Sequence, residues 1–227
     1  MSVRLNLSGY HLKAATLQAK SAEELETRHG LEKEFNNDIT YQHFACVTGA
    51  IISCTFFLES AINEIFSECA DKFTGQLPSD LTRELPEFTR SSMRIIWEYA
   101  PRFEKSPTLD KYDVALNLAE KKFDKESENY KGVRGVFSLR NYLVHYKPQS
   151  FKLQRSPDFK EEGIPDIVET LTKKNFKPNP FIGSPLPEHE LGYDCAKWCI
   201  DTSRNFLDDF SQRIGMTPFY VICKIRL

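Results

Sequence analysis

From Phe44 to Leu58 the chain reads FACVTGAIISCTFFL, fifteen residues without a charge. Such a segment has to leave water, yet crossing a bilayer as a helix takes about twenty apolar residues. A helix buried in a protein core is therefore expected, and no membrane association. Within residues 39–73 the first half is apolar nearly all round, and the second (LESAINEIFSECADKF) is amphipathic. That is the pattern of the central helix of a bundle.

Helical signals surround it. Leu17 to Phe35 is rich in helix formers, with Glu23, Glu24 and Glu26 read as a solvated face. A third helix carries Met93, Ile95, Ile96, Trp97 and Tyr99 and is kinked or ended by Pro101. A short fourth runs from about Leu109 to Phe123, and a fifth from about Glu128 to Tyr146 is closed by Pro148. Seven of the twelve prolines then fall within residues 148–187, a density that forbids long regular elements. A last long helix is expected over about Glu188 to Ile214, stopped by Gly215 and Pro218. The tail FYVICKIRL alternates like a strand but has no partner to pair with. The expected fold is all-α, with an N-terminal helical extension (1–38), a bundle core (39–147), a Pro-rich insertion loop (148–187) and a C-terminal helix with a short tail (188–227).

Composition removes several classes. Thirty Lys and Arg against thirty-two Asp and Glu exclude a partner held by bulk positive charge. The first twenty residues show no apolar stretch of the kind a secretory signal needs, so a cytoplasmic location is expected. The six cysteines are scattered and read as free thiols. Cys195 and Cys199, four apart on a helix, offer two metal ligands, but a site would need two more, and packed thiols are the simpler reading. No GxGxxG, P-loop, GxSxG or HExxH occurs. No cofactor and no metal are expected.

The informative segment is Gly135 to Pro148, GVFSLRNYLVHYKP. An Arg followed five positions later by a His arises by chance about 0.3 times in a chain of this composition; requiring Asn after the Arg lowers that to about 0.01. On an ideal helix at about 100° per residue from Val133, the residues Val133, Val136, Leu139, Leu143 and Tyr146 fall within about 220–360° and mark the core face. Arg134, Ser138, Asn141 and His145 fall roughly opposite, within about 80–140°. Arg140, near 340°, borders the core stripe and reaches that polar face only through its long side chain or a local bend.

Arg140, Asn141 and His145 resemble the R-x4-6-H motif of HEPN domains, and FLESAINEIF at 57–66 resembles an earlier core helix of that family. The likeness covers about residues 39–147, completed by the last helix. It implies a HEPN-like all-α bundle that dimerises with the two motifs facing each other. It also implies, in many members, metal-independent endoribonuclease activity in bacterial toxin, antiviral-defence or RNA-processing systems, with an antitoxin or defence partner. Members paired with a nucleotidyltransferase antitoxin carry a modified Tyr two residues after the His. Lys147 stands at that position here and Tyr146 is one residue off, so that pairing is not expected.

The residue types suit the chemistry in their own right. RNA carries its own nucleophile, the 2′-OH, so in-line cleavage needs a base, an acid and a cation for the developing phosphorane charge. Imidazole exchanges protons near neutral pH, and guanidinium offers phosphate a fixed fork of donors. One chain supplies one His and one Arg, whereas a homodimer supplies two of each. Asn141, one turn before His145, is placed to orient the imidazole or the phosphate. Residues 121–160 hold ten Lys or Arg and four acids, and Lys131, Arg134 and Lys147 are the candidate RNA-binding cations. The competing reading is a catalytically silent helical module whose same face binds a partner protein or an uncleaved nucleic acid.

Overall fold

The computed structural model describes residues 6–30, 36–70, 81–145, 166–182, 188–218 and Tyr220. They are all-helical: α1 (Ser8–His29), α2 (Asn37–Ala70), α3 (Glu87–Tyr99), α4 (Thr108–Leu118), α5 (Glu128–Val144), α6 (Asp166–Thr172) and α7 (Tyr193–Ile214), with 3₁₀ turns at Phe103–Lys105 and Glu188–Glu190. No strand occurs among the described residues. Of the tail that alternates in sequence only Tyr220 is described, and it is helical.

The helix ends follow from what satisfies their free backbone groups. α1 starts nine residues before Leu17 because Glu64 of α2 caps it from a distance: the Ser8 N–H donates to Glu64 Oε1 at 2.9 Å and the Ser8 hydroxyl to the same carboxylate. Asn36 Oδ1 caps α2, accepting from the N–H groups of Asp38 (3.0 Å) and Ile39 (3.3 Å). α3 ends at Tyr99, and Ala100 is extended, as the residue before Pro101 has to be. α4 stops five residues short of Phe123. Glu120 takes a left-handed conformation (φ 57°), and Phe123 stacks on Phe206 of α7 at 4.9 Å. α5 opens on Ser127, whose side chain accepts from the Tyr130 N–H at 3.3 Å.

The Pro-rich region is not uniformly loop. Between Pro165 and Pro178 lies a proline-free window, and there α6 forms two turns that bury Ile167 and Leu171. α7 begins at Tyr193, five residues later than the pattern suggests, because the 3₁₀ turn and Gly192 precede it.

α2 forms the axis of the bundle. It is long and apolar enough to cross a membrane, but 56% of its most apolar window is buried inside the protein. α1 runs antiparallel to it, since His11 meets Phe56, Gln18 Oε1 accepts from the Ser53 hydroxyl and Glu26 pairs with His43. α1 contributes Leu12, Ala15, Ala19 and Ala22 to the common core, so it is a structural part of the bundle. An aromatic cluster joins α4, α5 and α7. The Tyr112 ring packs edge-on to Phe206 (5.0 Å) and Phe210 (4.7 Å), and its buried hydroxyl donates to the Leu58 carbonyl of α2 at 2.8 Å.

α5 lies close against α7 because two positions at the contact have no side chain. A Cβ on Gly132 would stand 3.0 Å from Thr202 Cγ2, and one on Gly135 would stand 3.2 Å from Trp198 Cη2. Gly132→Val therefore overpacks the contact and should cost about 1–3 kcal/mol in denaturant unfolding. Combined with Thr202→Ala the double variant should be more stable than the two single losses predict. Strict additivity would mean that this contact does not set the α5–α7 distance.

Candidate functional site

On α5, Val133, Val136 and Leu139 are fully buried, while Lys131, Arg134, Ser138, Asn141 and His145 lie on the opposite side, all of them exposed. The polar face expected from the sequence thus lies on the surface, one helix diameter from the core. His145 terminates the helix: its N–H donates to the Asn141 carbonyl at 2.9 Å, and its backbone leaves the helical conformation. The His145 ring has no hydrogen-bond or ion-pair partner among the described residues, which leaves both ring nitrogens open to a ligand. Tyr146 and Lys147 lie outside the described residues.

Arg140 is half-buried, as its place at the edge of the core stripe requires. Its Nη1 donates to Asn141 Oδ1 at 2.8 Å, which holds the guanidinium toward the polar face, while its Nε is buried without a partner. Asn141 thus positions the arginine here, rather than the imidazole. An Arg anchored by a neutral amide keeps its charge uncompensated, as a phosphate-binding group needs.

Two of the other basic residues counted in sequence are committed elsewhere. Lys125 donates to Asp113 Oδ2 at 2.8 Å, and this partner pushes its pKa up. Lys131 pairs with Glu126 at 3.0 Å, with both side chains well exposed. A pair so exposed is worth little and exchanges readily for a phosphate.

The structure adds residues that the sequence pattern does not single out. α6 packs beside α5, and between them lies a groove of about 580 Å³ lined by Lys131, Arg134 and Ser138 on one side and Thr170, Lys173 and Lys174 on the other. Lys173 and Lys174 form a visible basic pair in sequence, but nothing local signals that α6 sets them opposite Arg134.

Elsewhere, two expectations are settled by burial. Glu26 is not on a solvated face: its side chain is 9% exposed, Oε1 lies 2.8 Å from His43 Nε2 and accepts the Tyr193 N–H at 2.6 Å, capping α7. Phe181 lies over the His43 ring at 4.8 Å, so this pair is closed off from substrate. Cys195 and Cys199 are fully buried core thiols. Burial pushes the Cys199 thiol well up, as for a thiol packed in an apolar core. Among the described residues no three His, Cys, Asp or Glu side chains gather as a metal site.

Comparison of the chain with protein-family models, with curated proteins and with solved structures finds no match.

Because His145 and Asn141 are exposed, His145→Ala and Asn141→Ala should each change unfolding free energy by no more than about 0.5 kcal/mol in a denaturant titration. A loss of several kcal/mol would assign these side chains a structural task.

Proposed function

We propose that this chain is a HEPN-type, metal-independent endoribonuclease of the cytoplasm, acting as a homodimer in a toxin, antiviral-defence or RNA-processing role. The observation that supports it most is the exposed end of α5, where His145 has no side-chain partner among the described residues and Asn141 holds the Arg140 guanidinium toward the same surface.

The chemistry follows from those groups. A neutral imidazole removes the 2′-OH proton as that oxygen attacks the adjacent phosphorus. The phosphorane charge is met by guanidinium donors. The bond to the 5′-oxygen breaks, and a protonated imidazole supplies the proton to that leaving group. Two imidazoles in opposite protonation states are required, and one chain brings one at this site. A second copy with its α5 end facing the first supplies the other. The products are a 2′,3′-cyclic phosphate and a 5′-hydroxyl.

With purified protein, RNA cleavage should survive excess EDTA, spare single-stranded DNA and fail on RNA whose 2′-hydroxyls are methylated. His145→Ala should lower turnover by about 10²- to 10⁴-fold, and Arg140→Ala comparably. Loss of activity in EDTA with recovery on Mg²⁺ or Mn²⁺, or 5′-phosphate ends, would overturn the mechanism. Equal cleavage by the wild type and both variants would leave the face to a non-catalytic binding role.

The same scheme requires a solution mass twice that of the 26.3 kDa chain at micromolar concentration. Sedimentation as a monomer under conditions of full activity would refute the two-imidazole site.

A further inference from the structure

We infer that the groove between α5 and α6 is the track that carries the phosphate backbone of single-stranded RNA to His145. The identity of the polymer rests on the nuclease reading above, whereas the groove itself rests on packing and charge.

Among the described residues four cations line it, Lys131, Arg134, Lys173 and Lys174, with Glu128 as the lining acid and Glu126 paired to Lys131 from outside the groove. Such an excess in a concave site concentrates a polyanion. Hydroxyls of Ser138 and Thr170 stand among them as further donors to phosphate oxygens. The second wall is held in place rather than loose: Ile167 and Leu171 anchor α6 in the core, and the Lys174 ammonium lies 5.6 Å from the Trp198 ring. Gly135, which lacks a side chain, lines the groove where a larger residue would fill it.

The direction of the groove argues for a polymer over a small anion. Its α5 wall runs from Glu128 to Ser138, and the same polar stripe continues through Asn141 to His145. From Arg134 to His145 the helix rises about 16 Å, which at roughly 3.4 Å per stacked nucleotide, and about twice that when extended, is about two to five nucleotides. The track therefore sets a minimum substrate length on one side of the scissile bond.

The test is binding of a fluorescent 2′-O-methyl RNA 12-mer, which cannot be cleaved, to the full chain and to Lys173→Glu/Lys174→Glu. The pair Arg94→Glu/Lys105→Glu, on α3 and the first 3₁₀ turn, makes the same charge change away from the groove. The groove variant should bind at least about tenfold more weakly, and its log–log salt slope should fall by about 1.4, two contacts at about 0.7 each. Affinity of the wild type should rise steeply from dinucleotide to hexamer and then level off. Circular dichroism of each variant shows whether the fold is kept; should Lys173→Glu/Lys174→Glu unfold, Lys173→Gln/Lys174→Gln takes its place. Absence of wild-type binding, equal weakening by both charge-reversed pairs, or no effect of the groove pair would overturn the inference. Binding that depends on the groove without any His145-dependent cleavage would remove the nuclease reading and leave the groove standing. Cleavage that depends on His145 with groove variants binding as wild type would do the reverse.

Discussion

The burial of α2 is the constraint on which the rest of this structure depends. Its apolar run cannot remain in water, and at roughly 25 cal/mol per Å² of apolar surface its enclosure is a major source of the fold's stability. One flat partner cannot enclose a helix whose first half is apolar nearly all round. α1 and α7 cover it along much of its length, while α3, α4 and α5 close the remainder. α5 consequently enters the core by the face that carries Tyr130, Val133, Val136 and Leu139, and its opposite face is left in solvent with the polar residues that the proposed chemistry uses.

Where charge is buried, it joins elements that are remote in sequence. Lys111 on α4 is fully enclosed, and its ammonium donates to Asn63 Oδ1 at 2.8 Å and to the Glu104 carbonyl at 2.9 Å, with Glu59 at 3.5 Å. Burial pushes its pKa down and the Glu59 carboxylate draws it back up. Glu26 does the same between α1, α2 and the start of α7, and Glu64 between α2 and the start of α1. A buried charge left without these partners would cost several kcal/mol, so each group of contacts forms as a unit. The motif face shows the contrary arrangement. His145 has no partner among the described residues, and Arg140 is met by a neutral amide rather than a carboxylate. At the motif itself the charge of Arg140 is left uncompensated, while the buried charges that hold the fold are paired.

The α5–α7 contact connects these two regimes. Gly132 and Gly135 allow the helices to approach within the reach of Thr202 and Trp198, and Trp198 in turn receives Lys174. The same close packing that seats the motif helix thereby helps fix one wall of the basic groove. A change at the contact would be felt both in stability and in the spacing of Arg134 from the lysines opposite.

Helical period and apolar content, which are local properties, made much of this protein legible in sequence. The all-α class, α2 as the central helix, the stop at Gly215 and the placing of Arg134, Ser138, Asn141 and His145 away from the core follow from the 3.6-residue repeat and its stop signals, because side-chain direction on a helix is set by the backbone. Tertiary structure decided what depends on partners distant in the chain. The start of α1 at Ser8 rests on Glu64, the burial of Glu26 rests on His43 and Tyr193, and the Arg140–Asn141 bond rests on which way a long side chain turns at the edge of the core. The wall formed by Lys173 and Lys174 rests on the docking of a two-turn helix inside a proline-rich region. No periodicity encodes such contacts, since each depends on neighbours that only the packed chain brings within hydrogen-bonding distance or van der Waals reach.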